Sequence, residues 1–300
     1  MLFVIVIAAQ ADAEINCDIF PLERNGIKLH LERFNSSLSP EREPLILIHG
    51  LTYSSHEFNV EYGDYSLVKF FADNGFNVWL LDIAGYGRSQ KVENGFTPDT
   101  DYAVEDVAAA VKFILNNSKY EKINIMGWSW GSVISGRFAA RYPELVKRLV
   151  LYAPIVAGLG EVNVENDFNK NTWLHAAGDF QVNEDKTINY EIAEPEVVNN
   201  FLANCWKYDE DKSPNGGRRD LLVSPEKRLI PTSKITVPVL IIVGSKDDYV
   251  SPELCTEAFN TLPNKLSKLE IIEGASHIMF LEKPFYKIFR SKILEFFKNS

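Results

Sequence analysis

Short apolar runs alternate with amphipathic helical patterns along most of this 300-residue chain, and this alternation restricts the fold more than any other feature. A continuous apolar run bounded by turn residues is typical of a strand that is covered on both faces, as in a parallel sheet. Strands of this kind are predicted at 44–50, 76–83, 122–127, 147–154, 237–244 and 269–274. The pattern predicts an α/β fold with a mostly parallel central sheet flanked by helices.

The segments between these runs carry helical periodicity. Apolar residues at three- and four-residue steps predict a helix over 101–118, and further helices are predicted at 131–146 and near 284–297. Residues 27–34 alternate between apolar and polar with a period of two, which predicts an early antiparallel strand.

Residues 155–234 break the alternation. They lack a strong parallel-strand run and are rich in Asn, Asp and Glu, with scattered aromatic residues. Because a structureless loop of this length is rare in a compact domain, we predict a helical cap inserted over the strand ends. The core is then predicted to comprise 14–154 and 235–300. A separate small domain is the alternative, which the sparse apolar residues of the segment disfavour.

The N-terminus carries an apolar run, 2–9, followed by a small-x-small sequence at 11–13. This order predicts that residues 1–13 are a cleaved signal peptide and that the protein is secreted or periplasmic. A buried first strand is the alternative, and the protein would then be cytoplasmic. Elsewhere the chain contains no run near the roughly 18 apolar residues that a membrane-spanning helix needs, so no membrane span is predicted.

Charge and cysteine content restrict the partners. The formal net charge of -10 disfavours nucleic acid as a partner, because phosphate neutralisation needs positive patches. Small neutral or cationic substrates fit this charge better than polyanions. Three scattered cysteines give neither a disulfide framework nor the spacing of a metal site, so no metal or organic cofactor is implied. Nothing in the sequence specifies an oligomeric state.

The sequence GWSWG places Ser129 between Gly127 and Gly131, directly after the predicted strand at 122–127 and before a predicted helix. In this strand–turn–helix setting a serine is held exposed at the edge of the sheet, and its neighbours two residues away must be small. Ser129 is therefore the candidate nucleophile.

Four further motifs accompany this turn, in the order HG at 49–50, LDIAGYGRS at 81–89, VGSKDDYVSPE at 243–253 and EGASHIMFLEKP at 273–284. With GWSWG, these motifs resemble those of α/β-hydrolases of the capped, esterase-like kind. The resemblance covers nearly all of the chain after the N-terminal segment, and it implies the α/β-hydrolase fold.

The resemblance also implies a catalytic triad of Ser129, Asp247 and His277. In this family the acid typically lies three positions after the glycine that ends its strand, which from Gly244 gives Asp247. The adjacent Asp248 is the alternative, and only geometry separates the two carboxylates.

The family pattern further implies an oxyanion hole formed by the backbone amides of Leu51 and Trp130. The Trp130 indole and the Thr52 hydroxyl are predicted to line the substrate pocket. Trp128, on the other side of the serine, is predicted to pack beneath the turn.

These residues predict a serine hydrolase that cleaves carboxylic esters of small molecules through an acyl-enzyme. The first alternative is amide, lactone or carbon–carbon cleavage, since SWGS at 129–132 resembles proline-specific aminopeptidases, although their HGGPG loop is absent. The second alternative is a non-catalytic binding protein on the same scaffold. Serine at position 129 excludes the carboxylate nucleophile that haloalkane dehalogenases and epoxide hydrolases require.

Overall fold

A computed structural model describes residues 14–37 and 42–299 of the chain. The predicted signal peptide at residues 1–13 lies outside these residues. Within the described part, no helix is both long enough and apolar enough to cross a membrane.

Ten strands are present among the described residues, and eight of them form one sheet. In chain order the strands are β1 (Ile15–Arg24), β2 (Ile27–Ser36), β3 (Glu43–Ile48), β4 (Phe76–Asp82), β5 (Ile123–Trp128), β6 (Val146–Tyr152), β7 (Phe168–Lys170), β8 (Lys212–Pro214), β9 (Val239–Gly244) and β10 (Lys268–Ile272). The sheet order is β1-β2-β4-β3-β5-β6-β9-β10. β2 runs antiparallel to both β1 and β4, and every other neighbouring pair is parallel, so the predicted mostly parallel sheet is confirmed.

Helices connect and flank the strands. They are α1 (Leu67–Asp73), α2 (Thr100–Asn116), α3 (Trp130–Arg141), α4 (Trp173–Ala177), α5 (Pro195–Asp209), α6 (Gly216–Leu221), α7 (Pro252–Asn260) and α8 (Tyr286–Lys298). Short 3₁₀ turns add Ser55–Phe58, Pro143–Leu145, Thr232–Lys234 and Met279–Leu281.

Helix α2 shows why the sequence pattern succeeds. Asp99 caps its N-terminus by accepting a hydrogen bond from the Tyr102 amide at 2.9 Å. The residues Val104, Val107 and Val111 are fully buried, as their three- and four-residue spacing predicts.

The 155–234 segment contains α4, α5, α6 and the antiparallel ribbon of β7 with β8. Its buried apolar residues are continuous with those of the core. The Phe201 ring, for example, lies 6.5 Å from that of Tyr53 and 5.6 Å from that of Phe180, measured between centroids. The division of the chain into core and cap stays a prediction.

Candidate active site

Ser129 occupies the sharp turn between β5 and α3. Its backbone angles, φ 56° and ψ -118°, lie in a region that residues with a side chain rarely adopt. The Ser129 amide donates a hydrogen bond to the Tyr152 carbonyl at 2.9 Å, and the Ser132 hydroxyl donates to the Gly127 carbonyl at 2.6 Å. These bonds hold the turn in its strained shape.

The two glycines of GWSWG are required by close backbone approach. A Cβ atom at Gly127 would lie 2.2 Å from the Gly131 carbonyl oxygen, and one at Gly131 would lie 2.2 Å from the Ile48 carbonyl oxygen. Neither distance is sterically allowed, so any larger residue would displace the serine.

Asp247 and His277 follow β9 and β10 and meet at the carboxyl-terminal edge of the sheet, where Ser129 also lies. His277 Nδ1 lies 2.8 Å from Asp247 Oδ2 and 3.0 Å from Oδ1. Asp247 Oδ1 also accepts hydrogen bonds from the amides of Tyr249, at 2.9 Å, and Val250, at 3.0 Å. The partner of His277 is therefore Asp247, whereas the adjacent Asp248 is exposed.

The charge environment of His277 favours its protonated form. Burial by itself lowers the pKa of the imidazole, but the charge and hydrogen bond of Asp247, with smaller effects of Asp179 and Asp248, outweigh burial and raise it above the ordinary value. Because Nδ1 faces Asp247, Nε2 is the atom left to accept a proton.

Ser129 and His277 line one cavity of about 200 Å³. Neither the Ser129 hydroxyl nor His277 Nε2 forms a hydrogen bond with another described residue. Hydrogen bonds between catalytic groups are often made only when substrate is bound. Apolar side chains of Ile155, Leu159, Leu221 and Leu222 cover part of the cavity wall.

The loop after β3 contributes Leu51 and Thr52 to the same cavity. Within the described chain, the amides of Leu51 and Trp130 donate no hydrogen bond, and Trp130 is the first residue of α3, where helix amides lack internal acceptors. The neighbouring Gly50 amide donates to Glu57 Oε1 at 2.7 Å. Burial raises the pKa of Glu57 well above its usual range, against the opposing effect of the Gly50 hydrogen bond.

The predicted role of the Trp130 indole as a wall of the substrate pocket is wrong. The Trp130 indole is fully buried, donates to the Thr100 hydroxyl at 3.0 Å and is absent from the cavity wall. Trp128 packs in the core with its ring stacked on that of Tyr152, and it also lines the cavity and donates to the His277 carbonyl at 3.1 Å.

Besides Tyr249, which lies within the motif at 243–253, four ionisable residues of the cavity were not identified from the sequence, namely Glu57, His175, Asp179 and Arg218. The last three belong to the 155–234 segment, which carries no recognisable motif, and only the folded chain brings them to Ser129. Burial raises the pKa of Asp179 to about 6, against the opposing effect of nearby His277.

Comparisons with known proteins show the family to which the chain is similar. The family model Hydrolase_4, described as serine aminopeptidase, S33, matches residues 39–284. A carboxylesterase of Bacillus subtilis (strain 168), described as uncharacterized, is 23% identical over 263 residues, which are 85% of this chain and 79% of the relative.

A proline iminopeptidase of Saccharolobus solfataricus is 25% identical over 268 residues, 81% of each chain. The crystal structure of naproxen esterase from Bacillus subtilis superimposes with a TM-score of 0.60 at 21% identity, covering 95% of this chain and 92% of that one. At this identity the structural likeness shows a shared fold.

Proposed function

The chain belongs to the Hydrolase_4 family (serine aminopeptidase, S33), and from this membership we propose that it cleaves carboxylic esters of small molecules by way of an acyl-enzyme. It is an α/β-hydrolase of the esterase, thioesterase or peptidase type. The observation that carries the finer proposal is the bonded Asp247–His277 pair, which shares a cavity with a serine on a strained turn.

In the proposed reaction, His277 Nε2 accepts the Ser129 hydroxyl proton as Oγ attacks the ester carbonyl carbon. The negative charge on the carbonyl oxygen is stabilised by the amides of Leu51 and Trp130. His277 then returns the proton to the leaving alcohol as the carbon–oxygen bond breaks. Asp247 holds the ring in the required tautomer and stabilises its charged form throughout.

Deacylation repeats these steps with water. His277 takes a proton from a water molecule, whose oxygen attacks the acyl carbon of the Ser129 ester. The tetrahedral intermediate collapses, the proton passes to Ser129 Oγ, and the carboxylic acid leaves.

Amide cleavage next to a free amino terminus is the second candidate. Asp179 favours it, because a carboxylate in the cavity is suited to holding a protonated amine. The absence of HGGPG after β3 and the carboxylesterase relative favour the ester reaction.

Turnover of a chain-length series of p-nitrophenyl esters, compared with proline-naphthylamide, tests the proposal. We expect p-nitrophenol release with a higher kcat/KM than amide cleavage, and covalent labelling of Ser129 by a fluorophosphonate. Cleavage of the amide without the esters would reverse the ranking. Failure to cleave either substrate, together with resistance to the probe, would favour the non-catalytic binding protein.

The pH profile of ester cleavage is expected to depend on Asp179. Its negative charge helps to raise the pKa of His277, and a protonated His277 does not act as a base. Asp179→Asn removes that charge and lowers the pKa of His277, so the acid limb of kcat/KM should move to lower pH.

The measurement is kcat/KM for one p-nitrophenyl ester from pH 5 to 9, with the product detected at a pH-independent wavelength. Asp185→Asn is the matched control, since Asp185 is a fully exposed carboxylate of the same segment that does not influence His277. An acid limb that stays in place or moves to higher pH in Asp179→Asn would contradict the expectation.

A further inference from the structure

Arg218, on α6, is a positively charged residue in the wall of the cavity that contains Ser129. One guanidinium nitrogen donates to Asn215 Oδ1 at 2.5 Å, and the other donates to Thr52 Oγ1 at 3.3 Å. Both acceptors are neutral, and the guanidinium has further N–H groups beyond these two bonds.

Among residues 14–37 and 42–299, no carboxylate forms an ion pair with Arg218, and the ionisable groups that act on it are Tyr86 and Tyr53. Burial lowers the pKa of its guanidinium, which nevertheless stays charged at neutral pH. By contrast, the largely buried Arg24 forms an ion pair with Asp106, with 2.6 Å between Arg24 Nε and Asp106 Oδ1. A half-buried charge without a counter-ion is costly, so Arg218 needs a partner that the chain does not supply.

Two more hydrogen-bonding groups line the cavity with Arg218. Thr52, which accepts from Arg218, keeps a hydroxyl proton to donate. Burial, with the Arg218 charge, lowers the pKa of His175, so its ring is neutral and keeps one N–H. Donors from the β3 loop, α4 and α6 therefore surround this end of the cavity.

The acidic groups of the cavity do not offset Arg218. Glu57 accepts a hydrogen bond from the Gly50 amide and forms no ion pair with Arg218, and burial raises its pKa. Asp179 interacts electrostatically with His277 and Asp247, whereas Arg218 interacts with Tyr86 and Tyr53. The cavity therefore has an acidic end at His277 and a basic end at Arg218.

We propose that Arg218, with Thr52 and His175, binds a carboxylate carried by the substrate, so that the substrate is a small ester with a free carboxylate, such as a half-ester of a dicarboxylic acid. This inference rests on the proposed ester hydrolysis and names its substrate class. A planar guanidinium fork matches a carboxylate in two parallel hydrogen bonds, which gives both affinity and orientation. A cavity of about 200 Å³ suits a compact substrate of this kind.

Taken over the whole chain, the formal net charge of -10 favours neutral or cationic substrates and not a substrate with a carboxylate. Most of the acidic residues are on the surface, where salt screens their charge over about 8 Å at physiological ionic strength. Within the cavity, the nearest charges decide which ligand is favoured, and at the α6 end the nearest charge is positive.

Two glutarate esters of p-nitrophenol test the proposal, one with a free carboxylate and one methylated at that carboxyl group. After subtraction of spontaneous hydrolysis, wild-type kcat/KM should be about tenfold or more higher for the carboxylate ester. Arg218→Gln should lower this ratio of kcat/KM values by about tenfold or more. The ratio compares two substrates on one protein preparation, so partial misfolding cancels.

Arg219→Gln is the matched control. Arg219 is the exposed neighbour of Arg218 on α6 and lies over the Phe96 ring at 4.7 Å, outside the cavity wall. Arg219→Gln removes one positive charge, as Arg218→Gln does, and should leave the ratio of kcat/KM values for the two esters unchanged. An equal rate of wild type on both esters, or a ratio that survives Arg218→Gln, would overturn the proposal. A wild-type preference for an ester with a trimethylammonium group over the carboxylate ester would also overturn the proposal.

Calorimetry with glutarate separates this inference from the proposed function. Glutarate should bind the wild-type protein and Arg219→Gln, and its Kd should rise by about tenfold or more in Arg218→Gln. If neither ester is cleaved but this binding pattern holds, the ester reaction fails and the carboxylate site stands. Absence of glutarate binding to the wild type, or equal binding to all three proteins, would refute the site.

Discussion

Ser129→Ala is expected to lower kcat on p-nitrophenyl esters by about 10⁶-fold, the typical cost of removing the nucleophile of a triad. Without the hydroxyl, no acyl-enzyme forms. The turn itself should persist, because alanine has the same Cβ as serine at φ 56° and the flanking glycines are retained. Initial rates over a range of ester concentrations, with circular dichroism to verify folding, measure the effect.

Ser135→Ala is the matched control for this variant. Ser135 lies on the same helix, α3, and its buried hydroxyl has no hydrogen-bond partner among the described residues. Since removal of an unsatisfied hydroxyl is nearly neutral, kcat should stay within about twofold of wild type. Equal rates for Ser129→Ala and the wild type would show that the observed hydrolysis does not use this serine.

The sequence predicted the parallel part of the sheet because its strands are buried on both faces. β3, β5 and β9 are almost entirely buried, and a strand in that position must be a continuous apolar run. Their ends are also marked by sequence motifs, since the tight turn at Ser129 needs glycines at set positions. Local sequence therefore carries both the strands and the loops that follow them.

Strand β1 could not be predicted in the same way. It lies at the edge of the sheet, pairs with β2 alone, and its residues alternate between exposed and half-buried. Cys17, Asp18 and Pro21 interrupt any apolar run there. β1 pairs with β2 across the turn at Asn25 and Gly26. Its strand conformation is therefore determined by pairing with β2 and not by its own apolar pattern.

The residues of the candidate site divide along the same line. Ser129, Asp247 and His277 follow strands and carry local motifs, and Leu51 and Thr52 follow β3. Asp179 and Arg218 come from two different parts of the 155–234 segment, and only its packing over the sheet edge directs them to Ser129. The periodicity of apolar residues gives no information on such long-range placement. The positions of Asp179 and Arg218 in the cavity wall are therefore visible only in the structure.

Asp247→Asn is expected to lower kcat by about 10⁴-fold while leaving the fold intact. Asp247 Oδ1 and Oδ2 both lie within 3.0 Å of His277 Nδ1, and Oδ1 also accepts from the amides of Tyr249 and Val250. An asparagine whose oxygen keeps those amide bonds presents its NH₂ group to Nδ1. His277 then carries its proton on Nε2, the atom that must accept the Ser129 proton, so the base is lost.

Asp248→Asn makes the same chemical change one residue further along, on an exposed carboxylate. Its charge has a small effect on the pKa of His277 and it makes no bond to the ring, so kcat should stay within about threefold of wild type. The two variants are compared by kcat on one p-nitrophenyl ester and by thermal unfolding. If Asp248→Asn lowered kcat by about 10⁴-fold while Asp247→Asn kept its activity, Asp248 would be the acid of the triad. The acid is the carboxylate that bonds His277 Nδ1 during turnover, because that bond fixes the tautomer of the ring.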